Sequence, residues 1–566
     1  MDIGKTKISK KWKIVALIFG ATLLIISIIL WIISVRLEPI IAGKLKQGIE
    51  SSSKGLYKID FNSLDIHLIN GSAELRDVTL QSDSNAYKKL DSLKDAPDTR
   101  FQGKIASIRL NNLNLWKLIF SKRISIGSLA LDSTELQALS SPRAYNKEKK
   151  SKDTTDLYQL IKESFKSVEL NKLNISPLNI TYLDSTRKKN TELKLQNVLF
   201  QANNILIDEH SGKDTLRFLY TKEIAIQVPK FTTILKDKFY KIELTDLAVN
   251  SGKRTLELAG FNFVPTVNRE TFARNDQENK SLITLKLDSI TLSEIDFPGL
   301  YRTKTLKAIH AKIGNGNIDF FKDKRYQKEV VSKIGESPAQ QIMKMSQKIT
   351  LDTVKINNID LRYSEISEKY GRMGTIDFKK ISGNIINLTN DSLALSKNKR
   401  MIADLHGYIY GEGKVNVRFG FDMLSSAGAF TYNGTLGKMR APTFNNILQP
   451  LINIKFADGN IQRIKFDMQG NDHKSWGQFN FDYDHLKLDI LRSPDDDRGG
   501  KKGFLSFFAN TFFINDSNPD ANGKYHQSTI DYNRVPEHPF FKVVWKSLLQ
   551  GIIECTGTNP KYIPEF

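Results

Sequence analysis

The chain has 566 residues, 40% of them hydrophobic and 10% aromatic, which predicts a sizeable folded core and excludes global disorder. Its formal net charge of +21 points to an anionic partner, either a phospholipid surface or nucleic acid. The single cysteine, Cys555, excludes an intrachain disulfide and a thiolate metal cluster.

Five lysines between positions 5 and 13 precede residues 14–35, a run of 22 residues without a charge. As a helix this run is long enough to span a hydrocarbon core of about 30 Å. The positive-inside rule keeps residues 1–13 in the cytoplasm and sends the remainder across. A cleaved signal peptide competes with this reading, with Ala42-Gly43 as the nearest small-residue site, but the length of the run favours an uncleaved anchor. Residues 39–53 predict a short amphipathic helix, and strand patterns take over from Tyr57. Further helices are expected over residues 154–168, over 326–348 with a break at Pro338, and over 539–554, where the pattern is almost wholly apolar.

Five stretches share one spacing, an apolar residue followed by others at offsets +3, +5, +8 and +10, starting at Leu110, Ile126, Leu170, Leu287 and Leu351; only Thr134 breaks the apolar rule. A spacing of two keeps side chains on one face of a strand, whereas a spacing of three reverses the face. The spacers are mostly Asn, Asp, Ser or Gly, residues suited to bulges and bends, so each copy predicts a strand that curves to hold one face apolar. The strongest internal match pairs residues 168–184 with 349–365 at an offset of 181, each preceded by a helical pattern and followed by a return strand. The expected fold is mainly β, an elongated curved antiparallel sheet with a few helices, bounded by a transmembrane helix and a C-terminal apolar helix.

No catalytic constellation accompanies this pattern. The eight histidines are scattered without metal-ligand spacing, Gly411-Glu412-Gly413 lacks the third glycine of a dinucleotide site, and Asp495-Asp496-Asp497 reads as a solvated acidic turn. No catalytic residue, metal or cofactor is therefore expected, and the function is read as non-enzymatic. Lys and Arg are spread along the strands instead of clustering with aromatics, which argues against nucleic acid.

The ends of the chain carry a family likeness. SKGLYKIDF from Ser53 and GSAELRDVTL from Gly71 resemble the N-terminal block of the bacterial AsmA-like family. DGNI from Asp458, Gly470, GQF from Gly477, YDHLKL from Tyr483 and PFFKVVWKSLLQGI from Pro539 resemble its C-terminal region and tail helix. The resemblance implies a member of the repeating β-groove superfamily, with TamB and the chorein-type lipid bridges, whose U-shaped sheets carry acyl chains in an apolar trough. It implies single-pass residence in the inner membrane of a Gram-negative-type cell, with the bulk in the periplasm. The corresponding organisation is a cytoplasmic tail (1–13), an anchor (14–35), an N-terminal β region (36–168), a repeated groove (169–440) and a C-terminal region (441–566).

On this reading the partners are membrane lipids, bound as acyl chains for transfer between membranes or for envelope homeostasis. The groove candidates are Leu110, Leu113 and Leu115 in the first copy, and Leu170, Leu173, Ile175, Leu178 and Ile180 in the third. Leu287, Ile290, Leu292 and Ile295 follow in the fourth, and Leu351, Val354, Ile356, Ile359 and Leu361 in the fifth. The C-terminal helix either plugs the sheet or docks on a second membrane or an outer-membrane partner through Phe540, Phe541, Val544, Trp545 and Leu548. The alternative function is a structural or assembly factor that uses sheet edges to handle outer-membrane proteins or envelope partners. A closed β-sandwich or β-helix core satisfies the same spacing, so openness of the apolar face is the deciding geometry.

Overall fold

The computed structural model describes residues 38–67, 70–148, 157–184, 191–278, 280–326, 329, 331–490 and 515–557. The expected anchor at 14–35 lies outside the described residues. Among those described, no helix is long and apolar enough to cross a membrane. The chain is mainly β and divides into two compact units, residues 1–233 with 244–258, and residues 234–243 with 259–566.

In the first unit, helix α1 (Glu38–Ser52) leads into β1 (Tyr57–Asp60) and β2 (Ser63–His67), which both pair with β3 (Ser72–Ser82). Then come α2 (Ser84–Ser92), β4 (Thr99–Leu113), α3 (Leu115–Ser121), β5 (Arg123–Ser140), α4 (Ala144–Glu148) and α5 (Leu157–Ile161). The long strands β6 (Ser167–Asp184) and β7 (Thr191–Ile207) and then β8 (Glu223–Ile234) continue the sheet in the order β3-β4-β5-β6-β7-β8. Its core is closed by Leu45 and Ile49 of α1 and by Leu157 and Ile161 of α5, in one cluster with Ile108, Leu110, Ile126, Leu129 and Leu170.

Strands β9 (Tyr240–Asn250) and β10 (Thr255–Pro265) precede α6 (Arg269–Asn275), β11 (Leu282–Leu287), β12 (Ile290–Ser293), α7 (Phe297–Thr303), β13 (Thr305–Ile313), β14 (Gly316–Asp323) and α8 (Pro338–Lys344). The second unit is organised on β15 (Lys348–Ile366), whose first half pairs with β13 and whose second half pairs with β14. From its other edge run β16 (Met373–Thr389), β17 (Arg400–Ile409), β18 (Gly413–Asp422) and β19 (Phe430–Leu436), with α9 (Ser392–Lys397) between β16 and β17. The short β20 (Met439–Arg440), α10 (Asn445–Ile452), β21 (Ile454–Gly470), β22 (Lys474–Ile490), β23 (Gln527–Asn533) and α11 (Phe540–Cys555) complete the unit, with β19, β21, β22 and β23 in register side by side.

The antiparallel expectation fails where, among the described residues, β5 pairs with β6, β13 with β15 and β14 with β15 in parallel, so the sheet structure is mixed. The cause is the connection. Parallel neighbours need a crossover, and segments containing α5 and α8 provide it before β6 and β15. These two places are the internal match: β6 and β15 begin at residues 167 and 348, 181 residues apart. Both helices stop short of their expected ends, α5 at Ile161 and α8 at Lys344. The second begins only at Pro338, whose fixed φ suits the first helical turn, capped by Ser337 in a reciprocal box with Gln340.

The odd spacing is resolved as a backbone event. In four copies a non-glycine residue of the spacer adopts left-handed φ: Asn112 (57°), Ser133 (48°), Glu294 (58°) and Asn358 (51°). In the third copy the register shifts between Ile175 and Leu178, and the fifth shifts likewise between Ile356 and Ile359. Partner strands bulge in concert. The Asn197 N–H donates to Asn179 Oδ1 at 2.9 Å, and the Lys380 N–H donates to Asp360 Oδ1 at 2.9 Å, with Asn179 and Asp360 again 181 residues apart. One inserted residue restores the face that the spacing of three would reverse.

Asn358 tests this device. Val in its place must hold positive φ against its branched Cβ, a loss of about 1–2 kcal/mol, whereas Gly adopts that conformation freely. Urea unfolding is expected to show Asn358→Val clearly destabilised and Asn358→Gly close to the parent chain.

Candidate functional site

Bulges bring the apolar positions of successive strands into cross-strand rows. In the first unit the rows are Leu129-Leu173-Ala202-Ile224, then Leu131-Ile175-Phe200-Ile226, then Leu136-Ile180-Leu195-Phe231, each crossing β5, β6, β7 and β8. Exposure rises from row to row. Leu129, Ala202 and Ile224 are buried in the first, Leu131 alone is buried in the second, and all four members of the third are half-buried. The intervening positions Asn174, Asn179 and Thr181 on β6, and Glu192, Lys194 and Gln196 on β7, are polar and take the other face. The sheet therefore has one apolar and one polar side, and its apolar side passes from a helix-covered core to an uncovered surface.

The second unit has comparable rows, but around β14 both faces are apolar, with Phe321 buried among Tyr240, Phe272 and Leu282 on the side opposite Phe320. The row Ala311-Val354-Ile385-Ala403-Phe419-Tyr432 crosses six strands, and Ile318-Leu361-Phe378-Ile409 and Phe320-Tyr363-Ile376 lie beyond it. Phe320, Tyr363 and Ile376 are all half-buried. The C-terminal end of this unit is closed by α11, which buries Phe540, Val543, Ser547, Gly551 and Cys555, residues spaced three or four apart on one stripe. Phe540 wedges between rings, with centroids 4.7 Å from Phe430 and 5.8 Å from Phe421. The Tyr432 hydroxyl shares hydrogen bonds of 2.7 Å with Ser475 and Ser547, and burial pushes its phenol above the ordinary range.

The predicted lining sorts into three groups. Leu110, Leu113 and Leu170, Leu287, Leu292 and Ile295, and Val354 and Ile359 are buried and belong to closed core. Leu173, Ile175, Leu178, Ile180, Ile290, Leu351, Ile356 and Leu361 are half-buried, with Leu173 and Ile175 packed against the closed core of the first unit. Leu115 is a correction: the strand ends at Leu113 and Leu115 starts α3, because the Asn114 side chain accepts from the Lys117 N–H at 2.9 Å and caps a helical turn. Phe540 is also a correction, since it is core and unavailable to a partner, whereas Phe541 is 66% exposed and Val544, Trp545 and Leu548 are half-buried.

Two features lay outside the sequence reading. Leu195, Phe200 and Phe231 complete the rows; the alternation in TELKL from Thr191 signals one of those strands, while their registers are set by tertiary pairing. On α3, Trp116, Ile119 and Phe120 are 74%, 65% and 71% exposed, with the Trp116 and Phe120 rings stacked at 5.3 Å. Among the described residues no group of His, Cys, Asp and Glu has the arrangement of a metal site. No family model matches the chain, and no curated protein matches it.

Truncation separates the two adjacent phenylalanines. Phe540→Ala is expected to cost about 3–5 kcal/mol by opening a cavity under α11, and Phe541→Ala under about 1 kcal/mol. Hydrogen exchange in α11 and β23 reads the difference directly.

Proposed function

We propose that this chain is a membrane-anchored, AsmA-like protein of the cell envelope that holds lipid acyl chains against its apolar sheet faces. The observation that carries the reading is the third row of the first unit, Leu136-Ile180-Leu195-Phe231, an apolar line across four strands with every member half-buried. A folded chain covers such a line or uses it. Withdrawing a 16-carbon tail from water is worth on the order of 13 kcal/mol, at about 0.8 kcal/mol per methylene, so an apolar strip gives a lipid a path between bilayers that free diffusion denies it. The polar opposite face keeps the protein itself in water.

Membrane attachment is supported by the geometry of the first unit. Ser53 Oγ accepts from the Tyr57 N–H and Lys46 pairs with Asp60 at 2.5 Å, so α1 runs antiparallel to β1. Going back along α1 thus follows the sheet towards Ser72, where the Leu113 N–H donates to Gly71 and the chain turns into α3. Glu38 is directed to the end of the sheet that carries exposed Trp116, Ile119 and Phe120, beside exposed Lys122 and Arg123. An aromatic tip rimmed by cations suits the interfacial layer of an anionic bilayer, and the uncharged run 14–35 precedes α1 in the sequence.

Benzophenone side chains placed at Ile180, at Thr181, its neighbour on the opposite face of β6, and at Trp116 test the reading in intact membranes. Lipid adducts are expected at Ile180 and at Trp116, with few at Thr181. Equal or absent adducts at Ile180 and Thr181 would contradict an acyl-binding face.

A further inference from the structure

The aromatic tip of the first unit and its uncovered row stand at different places along the strands. Strand β4 ends and β5 and β6 begin beside α3, and the apolar positions there, Ile124-Val168-Ile207 and then Leu113-Ile126-Leu170, are all buried. They lie in one cluster with Leu157 and Ile161 of α5. A row with every member half-buried is reached only further along β6, at Ile180. A lipid tail moving along this face between a bilayer at the α3 end and Ile180 must therefore displace a cover. Helix α5 is joined to that end: the Lys166 N–H, in the link from α5 to β6, donates at 2.8 Å to the carbonyl of Lys122, the left-handed residue that terminates α3.

The Leu157 N–H of α5 donates to the Tyr220 hydroxyl at 3.1 Å, and Tyr220 packs against the same cluster. Tyr220 is held in an unfavourable turn. Phe218 and Thr221 exchange backbone hydrogen bonds of 2.9 and 3.1 Å around Leu219 and Tyr220, whose φ values are 53° and 65°. A two-residue turn with positive φ at both central positions is normally Asn-Gly, because a large side chain there crowds its own backbone. Leu219 and Tyr220 are kept in it by the Leu206 N–H, which donates to the Tyr220 carbonyl at 2.9 Å, and by Arg217 Nη1, which donates to the same carbonyl at 3.3 Å. Backbone strain of this kind persists where the surroundings impose it, and it concentrates at clamps and switches.

The corresponding helix of the second unit is fastened differently. Helix α8 stands in the crossover before β15 as α5 does before β6, and it starts from the capping box of Ser337 and Gln340. Gln340 Nε2 donates to Asp472 at 2.7 Å, Asp472 pairs with Arg534 at 3.2 Å with both side chains almost fully buried, and Arg534 Nη2 donates to the Lys333 carbonyl at 2.6 Å. The Asn390 side chain donates to the carbonyls of Ile342 and Met345. Moving α8 breaks charged and amide contacts from three distant stretches of chain, whereas moving α5 breaks the bond of a neutral phenol on a strained turn. The apolar contacts that Leu157 and Ile161 give up are replaced by those of the tail that displaces them. We propose that α5 is a displaceable cover latched by Tyr220, and that phospholipid acyl chains pass beneath it between a bilayer at the α3 end and the uncovered row at Ile180. The proposal rests on the acyl-binding reading above and supplies its entry route.

The experiment uses the full chain carrying benzophenone at Ile180, freed of lipid in detergent, diluted into vesicles of phosphatidylcholine and phosphatidylglycerol and irradiated at intervals. Hydrogen exchange is followed in parallel over residues 157–161. Tyr220→Phe removes the hydroxyl and keeps the ring. Exchange in α5 is expected to rise about fivefold, the worth of one hydrogen bond, with β6 and β7 unchanged, and adducts at Ile180 to accumulate faster by a similar factor. Leu219→Asn relieves the turn while keeping Tyr220, and is expected to move both readouts the opposite way. Unchanged α5 exchange in Tyr220→Phe overturns the latch. Adducts that form at one rate in all three chains, with exchange altered as expected, overturn the entry route and leave the acyl reading standing. A parent chain that forms no lipid adduct at Ile180 sinks the acyl reading, and the route falls with it.

Discussion

Everything in this protein depends on one constraint of strand geometry: side chains alternate, so an apolar residue three positions after another points to the wrong side unless the backbone absorbs one residue. The chain absorbs it repeatedly with left-handed residues such as Asn112, Ser133 and Asn358. At three of the insertions a side chain satisfies the displaced backbone: Asn179 for Asn197, Asp360 for Lys380 and Ser382 for Asn358. The result is long strands, up to the 19 residues of β15, that keep one side apolar along their length. Without the bulges, half of those residues would face water and the rows could not form.

Coverage of that apolar side is uneven, and the unevenness carries the functional reading. At one place α1 and α5 cover it, and Leu110, Ile126 and Leu170 become ordinary core. At another, α11 covers it through Phe540 and the Tyr432, Ser475 and Ser547 hydroxyls. Elsewhere, Ile180 and Leu195 in the first unit and Phe320 in the second are left half-buried. A fold that only needed a core would extend its helices over them or replace them with polar side chains, as it does on the opposite face.

Much of this was legible from periodicity. The five-copy spacing predicted where the backbone would bulge, because the physical rule behind it is local and one residue decides the face. The repeat offset of 181 residues placed α5, β6, α8 and β15 in correspondence for the same reason. What periodicity left open was set by tertiary contact. Whether a position on β6 is closed, as Leu170 is, or half-buried, as Leu173 is, depends on the helices α1 and α5 that pack over the sheet, and the parallel pairing of β15 depends on a crossover. Leu115 shows the limit within a single copy: its spacing fits the strand pattern, but Asn114 caps a helix there and the local hydrogen bond prevails.

The central claim is that the uncovered apolar rows hold lipid. Native mass spectrometry of the full chain, purified in polymer-bounded bilayer discs and then released, measures this directly. The account predicts discrete mass additions of whole phospholipids, diminished when Ile180 and Leu195 are both replaced by Asp. A chain that flies at its bare mass, or one whose lipid adducts are indifferent to those two substitutions, would contradict it.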